Sequence, residues 1–149
     1  MIAKYPEIHI VRNTEYAETN NMYSAWLGRE AMGGEDFLMM NADVFFDASV
    51  IAALLSCPAA DAIVTDIGSY FDESMKVREE SGRLSCISKT IPRSEALGAS
   101  IDVYKLSGQG GAAFFSKCKE YIIAQGERGL WSEATLNDIL PEIEFNTKI

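Results

Sequence analysis

The sequence predicts an α/β layered domain with a mixed sheet, and three observations carry that prediction. Short apolar runs bounded by turn residues alternate with stretches whose apolar residues recur at helical spacing. One run, Phe37-Leu-Met-Met40, switches abruptly to Asn41-Ala-Asp43, as expected where a strand buried on both faces of a parallel sheet ends in a loop. Two further runs flank Ser81-Gly82 and read as an antiparallel hairpin, which makes the sheet mixed.

Taken in order, Ile8-His-Ile-Val11 reads as a strand and Arg12 to Glu18 as a polar loop. Thr19, Asn20 and Asn21 are candidate caps for a helix starting near Met22, with Tyr23, Trp26, Leu27 and Ala31 as its apolar stripe. Gly33-Gly34 ends that helix before the strand of Phe37 to Met40. Asp47 suits the cap of a short helix that buries Val50, Ile51, Leu54 and Leu55 and stops before Pro58. Ala62 to Thr65 is a further strand, and Gly68 to Ser74 an exposed loop. The hairpin takes Lys76 to Glu79 and Leu84 to Lys89, and Ile101 to Leu106 is a strand rich in β-branched and aromatic residues. The glycines at 108, 110 and 111 precede a longer helix with Phe114, Cys118, Tyr121 and Ile122 on its buried face and Gly126 at its end. Ser132 is a candidate cap for a last helix ended by Pro141, and Ile143 to Phe145 is a closing strand.

A chain of 149 residues, 48% hydrophobic and 23% charged, fits one domain spanning 1–149. The net charge of −9 argues against general binding of a nucleic-acid backbone and against an anionic membrane surface. No apolar run is long enough for a membrane span. Cys57, Cys86 and Cys118 are odd in number and lack zinc-ligand spacing, so they are expected to be reduced cysteines of a cytoplasmic protein. His9 is the single histidine and falls within a strand candidate, where a structural role is expected. Asp43, beyond the carboxyl end of its strand, lies where open α/β sheets form their ligand crevice. An acid there can hold Mg²⁺, which takes one or two carboxylates together with substrate phosphates.

Asn13-Thr-Glu-Tyr16, Thr19-Asn-Asn-Met-Tyr-Ser24, Asn41-Ala-Asp43, Asp72-Glu-Ser-Met-Lys-Val77, Ile87-Ser-Lys89 and Gly98-Ala-Ser-Ile101 follow one another along the chain, with Trp131-Ser-Glu-Ala134 after them. In this order they resemble motifs of the nucleotidyltransferases, in particular the sugar-phosphate and phosphocholine cytidylyltransferase-like branch. The resemblance runs from Ile8 to about Pro141. It implies a Rossmann-like three-layer α/β sandwich that joins a nucleoside triphosphate to a phosphorylated substrate with Mg²⁺, releasing pyrophosphate. On the matching positions, Asp43 would hold the metal, and Asn20, Asn21, Ser24 and Asn41 would lie on the nucleotide side. Lys76, Lys89 and Ser100 would lie on the substrate side, with Lys89 facing the substrate phosphate and Glu73, Trp131 and Glu133 around the pocket.

The departures from the pattern set the functional expectation. The Gly-rich loop and basic segment that cradle a triphosphate in the family have no counterpart here, and neither has its late aromatic-x-Glu-Ile-Asp stretch. Met1 falls where the family has already completed two strand–helix units, so the sequence reads as a truncated, partial domain. Ala42 stands where the family has Gly, and Ala99 and Asp102 where it has an acid and a Gly. The expectation is therefore a nucleotidyltransferase-like protein, inactive alone, retaining at most Mg-nucleotide or phosphosubstrate binding, with no catalytic residue assigned. The alternatives are an interaction module on the same scaffold and one half of a split enzyme. A missing central strand would leave an open sheet edge, so a homodimer is expected.

Overall fold

The computed structural model describes residues 7–32, 34–68 and 70–149. Two short helices, α1 (Asn21–Leu27) and α2 (Arg29–Met32), lead into β1 (Phe37–Met40). Helix α3 (Ala48–Leu55) and strand β2 (Asp61–Asp66) come next, then the hairpin of β3 (Lys76–Glu80) and β4 (Arg83–Ser88). Strand β5 (Gly98–Leu106), helix α4 (Gly108–Lys119), helix α5 (Ser132–Ile139) and strand β6 (Phe145–Lys148) complete the chain. A π-helical turn, Glu120–Gln125, extends α4 and ends at Gly126, whose φ of 73° closes it in the left-handed conformation.

The long strand β5 organises the sheet. It pairs antiparallel with β2 along one edge. Its other edge is shared, with β3 at Gly98 and Ala99 and β1 at Val103 to Leu106, both antiparallel. Among the described strands only β2 and β6 run parallel, so the sheet is mixed, as expected. Alternation along the strands sends side chains to two cores. Ile63, Tyr104 and Leu106 face Met22, Phe114, Cys118, Leu136 and Ile139 from α1, α4 and α5. Ala62, Val64 and Val103 face Leu54 of α3. Helices therefore cover both faces of the sheet, in three layers.

The hairpin forms where expected, turning on Ser81 and Gly82 at φ of 55° and 81°, the positive pair that matches the twist of adjoining strands. Two expectations are corrected. Ile8 to Val11 is not a strand: it is exposed, and no strand among the described residues lies beside it to pair with. Phe37 to Met40 is not a buried parallel strand: its one partner among the described residues is antiparallel, and its residues are half-buried with Met40 exposed. The closing strand starts at Phe145, two residues later than expected. Gly33 lies outside the described residues.

Candidate functional site

The site is built on the carboxyl end of β1, the middle of β5 and the start of α5. Asn20 caps α1, its Oδ1 accepting from the backbone N–H of Asn21 at 2.8 Å. Asn21 reaches across instead: its Oδ1 accepts from the N–H of Ser132 at 2.9 Å, satisfying an orphan donor in the first turn of α5. Ser24 accepts a bond from the Asn13 amide at 3.0 Å, tying the segment before α1 to that helix. Asn21, Ser24 and Asn41, together with Tyr104 and Ser132, line a cavity of about 340 Å³. Three of the four residues expected on the nucleotide side are thus brought together, and Asn20 stays at the helix end.

Asp43 is exposed in the turn after β1, and its charge acts on Asp102 of β5. The Asp102 carboxyl is held above the usual carboxylate range, first by burial and also by Asp43, against hydrogen bonds from Asn41, Tyr104 and Ser100. Asp102 occupies an irregularity in the β2–β5 register with φ of 58°, so its backbone is in the left-handed region. The Asp102 N–H donates to Ser100 Oγ at 2.9 Å, tying Ser100 to the same irregular stretch of β5. An exposed carboxylate with a second one close by fits the one or two carboxylates that Mg²⁺ takes beside phosphates. No group of three or more His, Cys, Asp or Glu that could hold a metal by itself occurs among the described residues.

Tyr104 and Glu133 join the two sides. Glu133 is buried at 2% exposure and accepts from Tyr104 Oη at 2.8 Å and from Ser132 Oγ at 3.4 Å. Burial and the neighbouring carboxylates Glu133 and Asp102 push the Tyr104 phenol well up, so it remains a donor. Glu133 also borders a second cavity of about 350 Å³ with Met75, Lys89, Leu130 and Trp131. Lys89 is exposed, with Nζ 4.0 Å from the centre of the Trp131 ring, a cation–π contact that holds the ammonium at the rim. Lys76 differs. It is buried, and its Nζ donates to the carbonyls of Asp72 at 2.7 Å and Lys89 at 2.6 Å, so it fixes the turn that presents Lys89.

The sequence reading missed Tyr104. Its signal was there: Ser100, Asp102 and Tyr104 alternate along one strand, an i, i+2, i+4 polar set in an otherwise apolar run. The glycines at 108, 110 and 111 are packing positions: a Cβ on Gly110 would stand 1.9 Å from Asp61 Oδ1, and one on Gly108 2.2 Å from the Gly34 carbonyl oxygen.

No protein-family model matches the sequence, and none of the curated proteins does. Solved structures do match. The chain is similar to the inositol-1-phosphate CTP transferase from T. maritima at TM-score 0.73 and 17% identity, over 93% of this chain and 54% of that one. It is similar to the CTP:phosphocholine cytidylyltransferase from Streptococcus pneumoniae at TM-score 0.61 and 17% identity, over 99% of this chain and 61% of that one. A UDP-glucose pyrophosphorylase from Acinetobacter baumanii matches at TM-score 0.59 and 12% identity, over 85% of this chain and 47% of that one. The fold is therefore that of nucleotidyltransferases, and the chain spans about half to three-fifths of the length of these structures.

Proposed function

We propose that the chain binds a Mg-nucleotide and a phosphorylated small molecule at a nucleotidyltransferase-type site and does not by itself transfer the nucleotidyl group. The single observation behind this reading is the pair of adjacent cavities, one at Asn21, Ser24 and Asn41 and one at Lys89, with Ser132 and Glu133 between them. In this reading Asn21, Ser24 and Asn41 offer neutral hydrogen-bonding groups to the nucleotide, with Asn20 holding the helix that carries two of them. Asp43, with Asp102 near it, would hold the magnesium; when bound, the ion offsets charge on phosphoryl oxygens. Lys89 meets the substrate phosphate as a point charge, Lys76 sets the turn from which it does so, and Ser100 acts through Asp102 and Tyr104.

Lack of turnover follows from charge. Transfer needs cations where pyrophosphate leaves. Among the predicted site residues the cations are Lys76 and Lys89, and the Lys76 ammonium is bonded to two carbonyls. An interaction module on the same scaffold draws support from the Ala42, Ala99 and Asp102 departures. A split enzyme draws support from the edge of β1 that no other described strand pairs with. A cytoplasmic setting accords with three free cysteines. No described helix is long and apolar enough to cross a membrane.

The test is a pyrophosphate-release assay with CTP, Mg²⁺ and phosphocholine or a sugar 1-phosphate, run beside direct binding of the phosphosubstrate. The reading expects no release above the blank, and binding weakened roughly tenfold by Lys89→Ala, the loss of one charge-assisted contact. Release by the chain alone, or binding indifferent to Lys89→Ala, contradicts it.

A further inference from the structure

The cavity that holds Lys89 has a volume of about 350 Å³, within the range of about 300–1,000 Å³ that small-molecule pockets occupy. Met75, Ile87, Leu130, Trp131 and Ala134 give it an apolar wall between the end of β4 and the start of α5. Lys89 stands at its rim against the Trp131 ring.

Apart from Lys89, the polar side chains of this cavity are already bonded within the protein. Asn137 donates from Nδ2 to the Ile87 carbonyl and accepts at Oδ1 from the Ile87 N–H, both at 2.8 Å. These two bonds occupy the amide and the β4 backbone beside it together. Ser88 Oγ bonds Thr90 Oγ1 at 2.8 Å and accepts from the Thr90 N–H at 3.1 Å. Both carboxylate oxygens of Glu133 accept, from Tyr104 and from Ser132, and the residue is 2% exposed.

This arrangement separates the two ends of a ligand. A phosphate at the rim meets the Lys89 ammonium as a point charge. A hydroxyl carried further in would leave water for side chains that cannot bond it, or that are bonded already, which is unfavourable. A methylene in the same place gains by leaving water.

We propose that the substrate side of this chain takes a phosphomonoester whose organic part is an apolar chain, and discriminates against polyhydroxylated sugar phosphates. The phosphate sits on Lys89 and the chain lies against Met75, Leu130 and Trp131. The proposal rests on the reading of the Lys89 cavity as the phosphosubstrate site and narrows that site to one ligand class.

Calorimetric titration of methyl, ethyl, propyl and butyl phosphate tests it, with glucose 1-phosphate beside them, on the full chain and on Lys89→Ala. Affinity is expected to rise about fourfold per added methylene, the transfer free energy of that group expressed as a binding ratio. Butyl phosphate should bind at least roughly tenfold tighter than glucose 1-phosphate. Lys89 is exposed, so its replacement should keep the fold and weaken every ester by the same factor, leaving the gain per methylene unchanged. A flat series, or glucose 1-phosphate binding as tightly as butyl phosphate, overturns the proposal and leaves the proposed function standing, because a phosphosubstrate still binds. A rising series indifferent to Lys89→Ala overturns it too, since the chains would then lie elsewhere. No binding by any of the esters overturns both.

Discussion

Asp102 lies in the middle of β5 with φ of 58°, a conformation that costs most L-residues about 1–2 kcal/mol and that Asn and Asp enter more readily than others. A β-branched side chain is the least suited to it. Asp102→Val should therefore lower unfolding stability by about 1–2 kcal/mol, whereas Asp102→Asn should leave it unchanged or raise it, because the amide keeps the local geometry and removes a half-buried charge. Urea unfolding of the two variants checks this. Equal losses in both would mean that the carboxylate, and not the backbone, is what the position requires. Lys76 teaches a related lesson. Spacing on a hairpin strand gives an exposed lysine and a buried one the same appearance. The structure shows its ammonium bonded to two carbonyls at 4% exposure.

Among the elements, α4 begins in a joint with no spare room. Asp61 accepts from the Ser107 N–H and Oγ, both at 2.8 Å, and Ser107 Oγ accepts in turn from the N–H of Gly110 at 3.0 Å. Gly110→Ala would drive a methyl into Asp61 and should cost about 1–3 kcal/mol, the usual penalty of overpacking. Thermal and urea unfolding measure it; a neutral result would show that the joint opens freely. The hairpin was legible in the sequence because Ser81-Gly82 is a local turn signal, and α4 because Phe114, Cys118 and Ile122 keep a local period. The partner of β1 was not. Strand pairing is a contact across 63 or more residues, from Met40 to Val103, and no local pattern distinguishes an antiparallel partner from a parallel one. Ile8 to Val11 fails for the same reason: β-propensity makes a strand only where another strand lies beside it.

For the whole molecule, the balance of charge frames the function. The chain carries −9 and its site gathers Asp43, Asp102 and Glu133, with Lys89 as the exposed cation at the rim. Under the proposed function, such a surface would repel a free polyphosphate and accept one whose charge a divalent ion has already offset. The fold and the Asn21, Ser24 and Asn41 grouping were readable from motif order, while the link through Tyr104 and Glu133 required the register of β5 against α5. The most direct measurement is a calorimetric titration of CTP with and without Mg²⁺, for the wild type and Asp43→Ala. The account predicts binding that requires Mg²⁺ and is lost in the variant. Binding without the metal, binding unaffected by Asp43→Ala, or no heat in any combination would contradict it.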